Sequence, residues 1–300
     1  MKKKTLSMLL AVSMAFALTA CAGGGNTSGD TSADSTAEES AEDTGDSADG
    51  EASENSSDSA DTADASESEA SEDGADTASA DVLSYEEYMA ADLDTEVTIQ
   101  AYVQAKQSWW EDEGQGKATV YAQDQDGAYF LYDMACAQED YDKLTPGTKI
   151  QVTGYKSEWS DEIEIMDGTF EFVEGADEYI APALDVTDML GTDELISHQN
   201  EFVQFNGLTV EPAVTDGSDD TTAFLYNYDG SGSEGDDLYF NASYNGETYT
   251  FTIESYLCDS STEVYSAVKN LQVGQTINME GFLYWYEGVN PHITSLEVAE

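Results

Sequence analysis

The chain contains no arginine, and its 300 residues hold only 9 lysines against 63 acids, a formal net charge of −54. So little positive charge leaves no basic groove on which a phosphate backbone could sit. DNA, RNA and anionic lipid headgroups are therefore expected to be repelled. Basic partners, divalent cations and neutral ligands stay open. Histidine is nearly absent too: His198 and His292 are the only two, and neither sits in a metal-ligand or nucleophile pattern. Both read as structural, His198 at a helix end where a cation suits the dipole. There is no Gly-x-Ser-x-Gly, no Cys–His pairing and no phosphate-binding loop. Carboxylate pairs are so common that none stands out. An enzyme is not expected, no cofactor is implied, and no metal site is assigned. Long apolar runs are missing as well, since the longest candidate, Leu6 to Ala20, is too short to span a bilayer as a helix.

That short run has a meaning of its own. Lys2, Lys3 and Lys4 precede "LSMLLAVSMAFALTA", and Cys21 follows. A basic start, a short apolar core and small residues before the cut describe an export signal over residues 1–20. The end, Leu18-Thr19-Ala20-Cys21, resembles the lipobox of bacterial lipoproteins. The resemblance implies cleavage before Cys21 and acylation of its thiol, with a lipid bilayer as partner and the protein facing outward from the cell membrane. Two acyl chains anchor stably where one is marginal. Residues 22–80 are almost wholly Gly, Ser, Thr, Ala, Asp and Glu, with no aromatic residue. Such a stretch cannot bury enough apolar area to offset ordering entropy, so residues 21–80 read as a lipidated cysteine and a disordered acidic tether. Its ends would sit about 40 Å apart as a flexible coil.

From residue 81 the composition changes to alternating aromatic and β-branched residues. "EVTIQAYVQ" puts Val97, Ile99, Ala101 and Val103 on one face. "KATVYAQDQDGAYFLYDM" is two strands about a hairpin signal, Asp124 to Gly127. "QEDYDKL" reads as a short helix, and "TKIQVTGYK" and "DEIEIMDG" as two more strands. Ser84 and Glu87 form a capping box before the first strand. Strand, hairpin, helix and two strands is the order of a five-stranded Greek-key barrel, the OB-fold.

The unit is written twice. "LTPGTKIQVTGY" from Leu144 returns as "LQVGQTINMEGF" from Leu271. Gly147 and Gly274 suit a helix exit with positive φ, and Gly154 and Gly281 a sharp bend within a strand. "EFVQFNGLTV" repeats the first strand, with Val203, Phe205 and Gly207 facing one way. Thr192 opens a candidate helix. Ser260 and Glu263 read as a capping box for another, whose Val264, Val268 and Leu271 share a face. The extra residues of the second copy fall in "TDGSDDTTAFLYNYDGSGSEGDD". The expected fold is thus all-β: two tandem OB-fold-like five-stranded Greek-key barrels with short helices, over residues 81–178 and 179–300. Cys136 and Cys258 fall at corresponding places in the two copies, so free thiols are expected over a disulfide.

The run "YAQDQDGAYFLYDMACAQEDYDKLTPGTKIQVTGYKSEWSDEIEIMDGTFEFVEG" resembles the OB-fold domains of lipoproteins from anaerobic Gram-positive bacteria, and "GFLYWYEGVNPHITSLEV" is similar to their C-terminal end. The resemblance implies a fold and an address. It implies no activity and no catalytic residue.

Aromatic residues gather where such barrels meet ligands. Trp109 and Trp110 follow the first strand, with Glu111 and Asp112 beside them. Trp159 lies between strands four and five. Tyr121, Tyr129 and Tyr132 belong to the hairpin, and Tyr284, Trp285 and Tyr286 to the second copy. Ring faces with carboxylates suit sugars or cations. The expected site is therefore Trp109, Trp110, Trp159, Trp285, Tyr129, Glu111 and Asp112, and the expected role a non-enzymatic binding module for a glycan or protein ligand. The alternatives are an accessory subunit of an envelope complex, or a hydrolase with unassigned carboxylates. Equally, the rings could plug barrel ends or the seam between barrels. Asp229, Ser231 and Ser233 alternate as in an EF-hand, but Glu234 and Phe240 stand where Gly and Glu are needed. A looser calcium site among Asp216, Asp219, Asp220, Asp236 and Asp237 stays open.

Overall fold

The computed structural model describes residues 81–214 and 222–299. The stretch expected to be an export signal, Cys21, the acidic stretch and Asp216, Asp219 and Asp220 lie outside the described residues.

A short helix, α1 (Tyr85–Ala90), opens the first barrel. The Ser84 side chain accepts from the Glu87 backbone N–H, and the Glu87 carboxylate accepts from the Ser84 N–H, which completes the capping box. Seven further elements follow: β1 (Glu96–Lys106), β2 (Trp110–Asp112), β3 (Gln115–Gln123), β4 (Ala128–Ala135), the single turn α2 (Gln138–Tyr141), β5 (Lys149–Trp159) and β6 (Glu162–Phe172). The alternation of β1 holds, with Val97, Ile99, Ala101 and Val103 all buried. The sheet runs β1-β5-β6-β4-β3-β2, and a β1–β3 pairing closes five of these strands into a ring. The β4–β6 pairing is parallel and the rest of the ring antiparallel, as a Greek-key barrel requires. At the hairpin turn the Asp124 carboxylate accepts from the N–H groups of Asp126 and Gly127.

The second barrel repeats the plan with β7 (Leu184–Asp185), β8 (Phe202–Glu211), β9 (Phe224–Tyr226), β10 (Leu238–Tyr244), β11 (Glu247–Ile253), α3 (Glu263–Lys269), β12 (Thr276–Phe282) and β13 (His292–Val298). Here β8–β10 closes the ring, and β11–β13 is the parallel pair. In both copies a short extra strand lies against the second strand of the ring, β2 on β3 and β9 on β10.

The repeated glycines act alike in both copies. Gly147 and Gly274 both stand at φ +88°, though not at a helix exit: each sits in the turn just before β5 or β12, closed by Thr148 N–H on Thr145 O and Gln275 N–H on Gln272 O, and a Cβ would strain it. Gly154 and Gly281 sit at register shifts, and a Cβ would meet Met166 O at 2.7 Å and His292 O at 2.2 Å respectively. Each strand therefore bends where only glycine lets the neighbouring backbone approach.

Three local expectations need correction. Gly207 does not face inward with Val203 and Phe205. It is exposed at φ +73°, within the stretch where the β8–β12 register slips, and Leu208 and Val210 resume the buried face beyond it. A bulge adds one residue and so inverts the alternation. Second, Ser260 does not cap α3. Asp259 draws the N–H and hydroxyl of Ser261 onto its carboxylate, the Thr262 N–H bonds Asp259 O, and the chain turns there. Thr262 is the cap, accepting from the Tyr265 N–H. Val264, Val268 and Leu271 are buried together as expected. Third, no α-helix follows Thr192. Leu195–His198 forms a 3-10 turn, after which Gln199 bonds to the first barrel.

Each barrel has its own core, the first around Ile99, Leu131, Ile150 and Val152, the second around Phe205, Phe240, Phe251 and Ile277. A third cluster joins them. Tyr121 and Phe130 from the β3–β4 hairpin meet Phe282 from β12, with Phe202 and Tyr284 packed alongside. Tyr121 stacks on Phe282 with centroids 4.3 Å apart. Polar bonds reinforce the seam: Gln123 Oε1 accepts from the Phe202 N–H, and Gln199 and Asn200 donate to the backbone oxygens of Asp161 and Ile163.

Candidate functional site

The barrel-to-barrel seam leaves a cleft along one side. The smaller of two adjoining recesses, about 440 Å³, opens there between the barrels, and the larger, about 680 Å³, is lined wholly by the second barrel. Glu254, Tyr284 and His292 line both, so these three residues form the ridge between them. Tyr239, Tyr286 and Asn290 belong to the larger recess, and Trp110, Phe130 and Tyr132 to the smaller.

Local structure positions each group. Glu254 directly follows β11, where its carbonyl accepts from the N–H groups of Leu257 and Cys258 and fixes the strand exit. Its Oε1 accepts from the Tyr256 N–H at 3.1 Å. Its Oε2 is buried with no partner. Removal from water, with the charge of Asp237 nearby, pushes the Glu254 carboxyl up to about 7. His292 opens β13 and is buried, its Nδ1 hydrogen-bonded with the Tyr121 hydroxyl at 2.7 Å. Burial lowers its pKa to about 3, so the ring is neutral at physiological pH. The Tyr284 ring stacks on the His292 imidazole, centroids 4.4 Å apart, and its hydroxyl is raised above the ordinary tyrosine range by burial.

Two further acids are buried on the β6 side of the seam. Glu162 Oε2 accepts from the Trp285 N–H at 2.9 Å, while its Oε1 has no partner. Desolvation pushes Glu162 up to about 8. Glu164 is raised to about 7, by desolvation first and by Asp133 second.

The structure disperses the residues picked out from sequence. Trp110 is 43% exposed and lines the smaller recess, its Nε1 donating to Asp133 Oδ1. Trp109 instead packs over Gly116 and donates to Cys136 O at 2.9 Å. Tyr129 is buried in the first core against Tyr85 and Tyr88. Trp285 packs half-buried against the second core. Trp159 is exposed at the end of β5, and Glu111 and Asp112 are exposed on β2, none of them lining either recess. Cys136 and Cys258 are free and buried. In the Asp-rich segment, Asp229 accepts from the Ser231 N–H, Asp236 from the Ser233 N–H, and Glu234 pairs with Lys269. Among the described residues no three His, Cys, Asp or Glu side chains gather to hold a metal.

Glu254, Glu162, Glu164 and Tyr239 were not singled out from sequence. For the β6 acids a signal existed. "GAYFLYDM" is apolar on both faces of β4, which marks a strand covered from two sides, and Glu164 pairs with its Phe130. Nothing local distinguishes Glu254 from the other acids.

No family model matches the chain, and no curated protein sequence does either. Solved structures are similar to it at low identity. The Ifi202 HINa domain in complex with 20bp dsDNA is 12% identical, covering 69% of this chain and 96% of that one, with a TM-score of 0.30. A murine DNA-binding protein bound with double-stranded DNA is 11% identical, covering 68% and 95%, with a TM-score of 0.31. A replication protein A heterotrimer bound to ssDNA is 14% identical, covering 68% and 49%, with a TM-score of 0.29. All are similar in OB-type architecture. Their DNA complexes overturn the expectation of a glycan or protein ligand with nucleic acid excluded, and that expectation is withdrawn. Its physical weakness is also visible. A net charge describes the whole chain, whereas ring faces and carboxylates act locally, and the ring set behind the glycan reading does not assemble on one surface. Likeness this slight assigns the chain no ligand.

Proposed function

We propose that this protein is a non-enzymatic binding module whose site is the cleft at the seam, and that its ligand is a small molecule presenting a flat or apolar face. The observation that carries this reading is the meeting of two recesses at Glu254, Tyr284 and His292, the last two tied to the first barrel through Phe130 and Tyr121. Sites of this kind are concave, mostly apolar and aromatic, with a few convergent polar groups. On the export reading of residues 1–21, which belongs to this proposal, the cleft works outside the cell.

A second reading rests on three exposed rings around the smaller recess, Trp110, Tyr132 and Tyr256. Unpaired nucleobases stack on such faces, each for about 1–3 kcal/mol. A single strand whose bases enter the cleft is the form of nucleic-acid binding these rings suit best.

Trp110 is the tryptophan that lines the cleft, while Trp109, Trp159 and Trp285 emit beside it. The fluorescence difference between the chain from residue 81 and its Trp110→Phe variant, titrated with 2-phenylethylamine, adenosine and a short oligo-dT, is expected to change saturably with at least one ligand. The change is expected to shrink in Tyr132→Ala and Tyr286→Ala. No response to any of the three, or responses unaltered in both variants, would overturn the cleft as the site.

A further inference from the structure

Glu254 is a buried acid with one oxygen satisfied and one not. Oε1 has the Tyr256 N–H, and Oε2 has nothing, although the side chain is only 8% exposed and borders both recesses. A buried acceptor without a donor costs about 1–3 kcal/mol, more when charged. The one side-chain donor near the carboxyl is the neutral Gln107 amide of the smaller recess, which does not reach Oε2 in bonding geometry. No lysine lines either recess, and the nearest charged neighbours in the larger one, Asp237 and Glu287, are themselves acids. The missing partner must carry N–H or O–H, and the local field asks that it also carry positive charge. Around the carboxylate stand Tyr239, Tyr284 and Tyr286, whose ring faces attract a cation and pack against an apolar body.

We infer that the larger recess takes a protonated primary amine borne on a flat or apolar body, its ammonium donating to Glu254 Oε2 between the tyrosine rings. This rests on the cleft being a ligand site and adds the charge and donor class of the ligand. A primary ammonium meets both needs at once, since a charge-assisted N–H···O bond is about twice as strong as a neutral one. A quaternary ammonium supplies charge without a donor, and an alcohol supplies a donor without charge. Of these three rings Tyr286 is half-exposed, so the recess is open to solvent on its side.

The test uses three probes on the chain from residue 81 by titration calorimetry at pH 7.5: 2-phenylethylamine, 2-phenylethanol and choline. The amine is expected to bind at least tenfold more tightly than the alcohol, and more tightly than choline. Glu254→Gln is expected to abolish the preference for amine over alcohol while leaving the alcohol's affinity within a factor of two. Tyr286→Ala, at an exposed position that the fold tolerates, is expected to weaken amine and alcohol together. Equal binding of amine and alcohol, or a preference that survives Glu254→Gln, would overturn the amine assignment while leaving the cleft as a site. Binding of none of the three would overturn the assignment, and with the fluorescence titrations also silent the cleft reading falls too.

Discussion

The Tyr121 hydroxyl and His292 Nδ1 lie 2.7 Å apart across the seam, both side chains buried, one from each barrel. The bond ties the β3–β4 hairpin of the first copy to the last strand of the second. It also fixes the imidazole on which Tyr284 stacks, and so one wall of the cleft.

Removing that hydroxyl leaves a buried ring nitrogen without its partner. Tyr121→Phe keeps the stacking on Phe282, so the loss isolates the hydrogen bond. The expected cost is about 1–3 kcal/mol, read by urea denaturation at pH 7. A cost below about 0.5 kcal/mol would show that the seam does not depend on this contact.

Stability should fall as pH rises above neutrality. Burial raises the carboxyls of Glu162, Glu164 and Glu254, with pKa values of about 8, 7 and 7 in the fold. Their unfolded values are near 4.3, so the folded state binds more protons between those limits. Their contribution is complete below the unfolded value and is lost as pH rises through the folded ones. His292, lowered to about 3, works in the opposite sense, but only below its unfolded value near 6.5. Between pH 6.5 and 8 the three glutamates therefore act without opposition from it. Tm is expected to drop by several degrees over that window, at roughly 2–4 °C per kcal/mol for a body of this size. Glu162→Gln should flatten the slope.

Much of this fold is legible in the chain. Gly147 and Gly274, with the strands that follow them, announce one unit used twice, because a turn with positive φ and a close backbone crossing demand glycine wherever they recur. Alternation in β1 locates its buried face without help. What escapes is whatever depends on contact between distant segments. Trp109 reads as a ligand ring until its indole is seen covering Gly116 and bonding Cys136 O. Gly207 follows the alternation on paper, and only pairing with β12 exposes the bulge. Glu254 carries no local mark, since its burial is created by the second barrel folding against the first.

The two bends should be intolerant of a single methyl group. At Gly281 a Cβ would stand 2.2 Å from the carbonyl oxygen of His292, and at Gly154 it would stand 2.7 Å from that of Met166. Both obstacles are backbone, which cannot rotate aside. Gly281→Ala and Gly154→Ala are each expected to cost more than about 2 kcal/mol, in the range of overpacking. Gly235→Ala, where a Cβ meets nothing within 4 Å, serves as a control that tests backbone strain alone. Thermal unfolding of the three would order them, and a control as damaged as Gly281→Ala would refute the steric account.

Burial also pushes the thiols up, Cys136 to about 11 and Cys258 to about 12, and the thiolate is the reactive form. In the native chain from residue 81, which lacks Cys21, both should react at pH 8 with an aromatic disulfide reagent at least a hundredfold more slowly than in 8 M urea. One prompt equivalent in the native state would mean that a barrel opens at the exit from its third strand.

The central claim is that the paired recesses meeting at Glu254, Tyr284 and His292 are the binding site. Its most direct measurement is the ¹H–¹⁵N spectrum of the labelled chain from residue 81, recorded with increasing 2-phenylethylamine. The account predicts saturable shifts concentrated at Glu254, Tyr256, Tyr286 and His292, which in Glu254→Gln need about tenfold more amine to saturate. Shifts centred elsewhere, or an unchanged spectrum at millimolar amine, would contradict it.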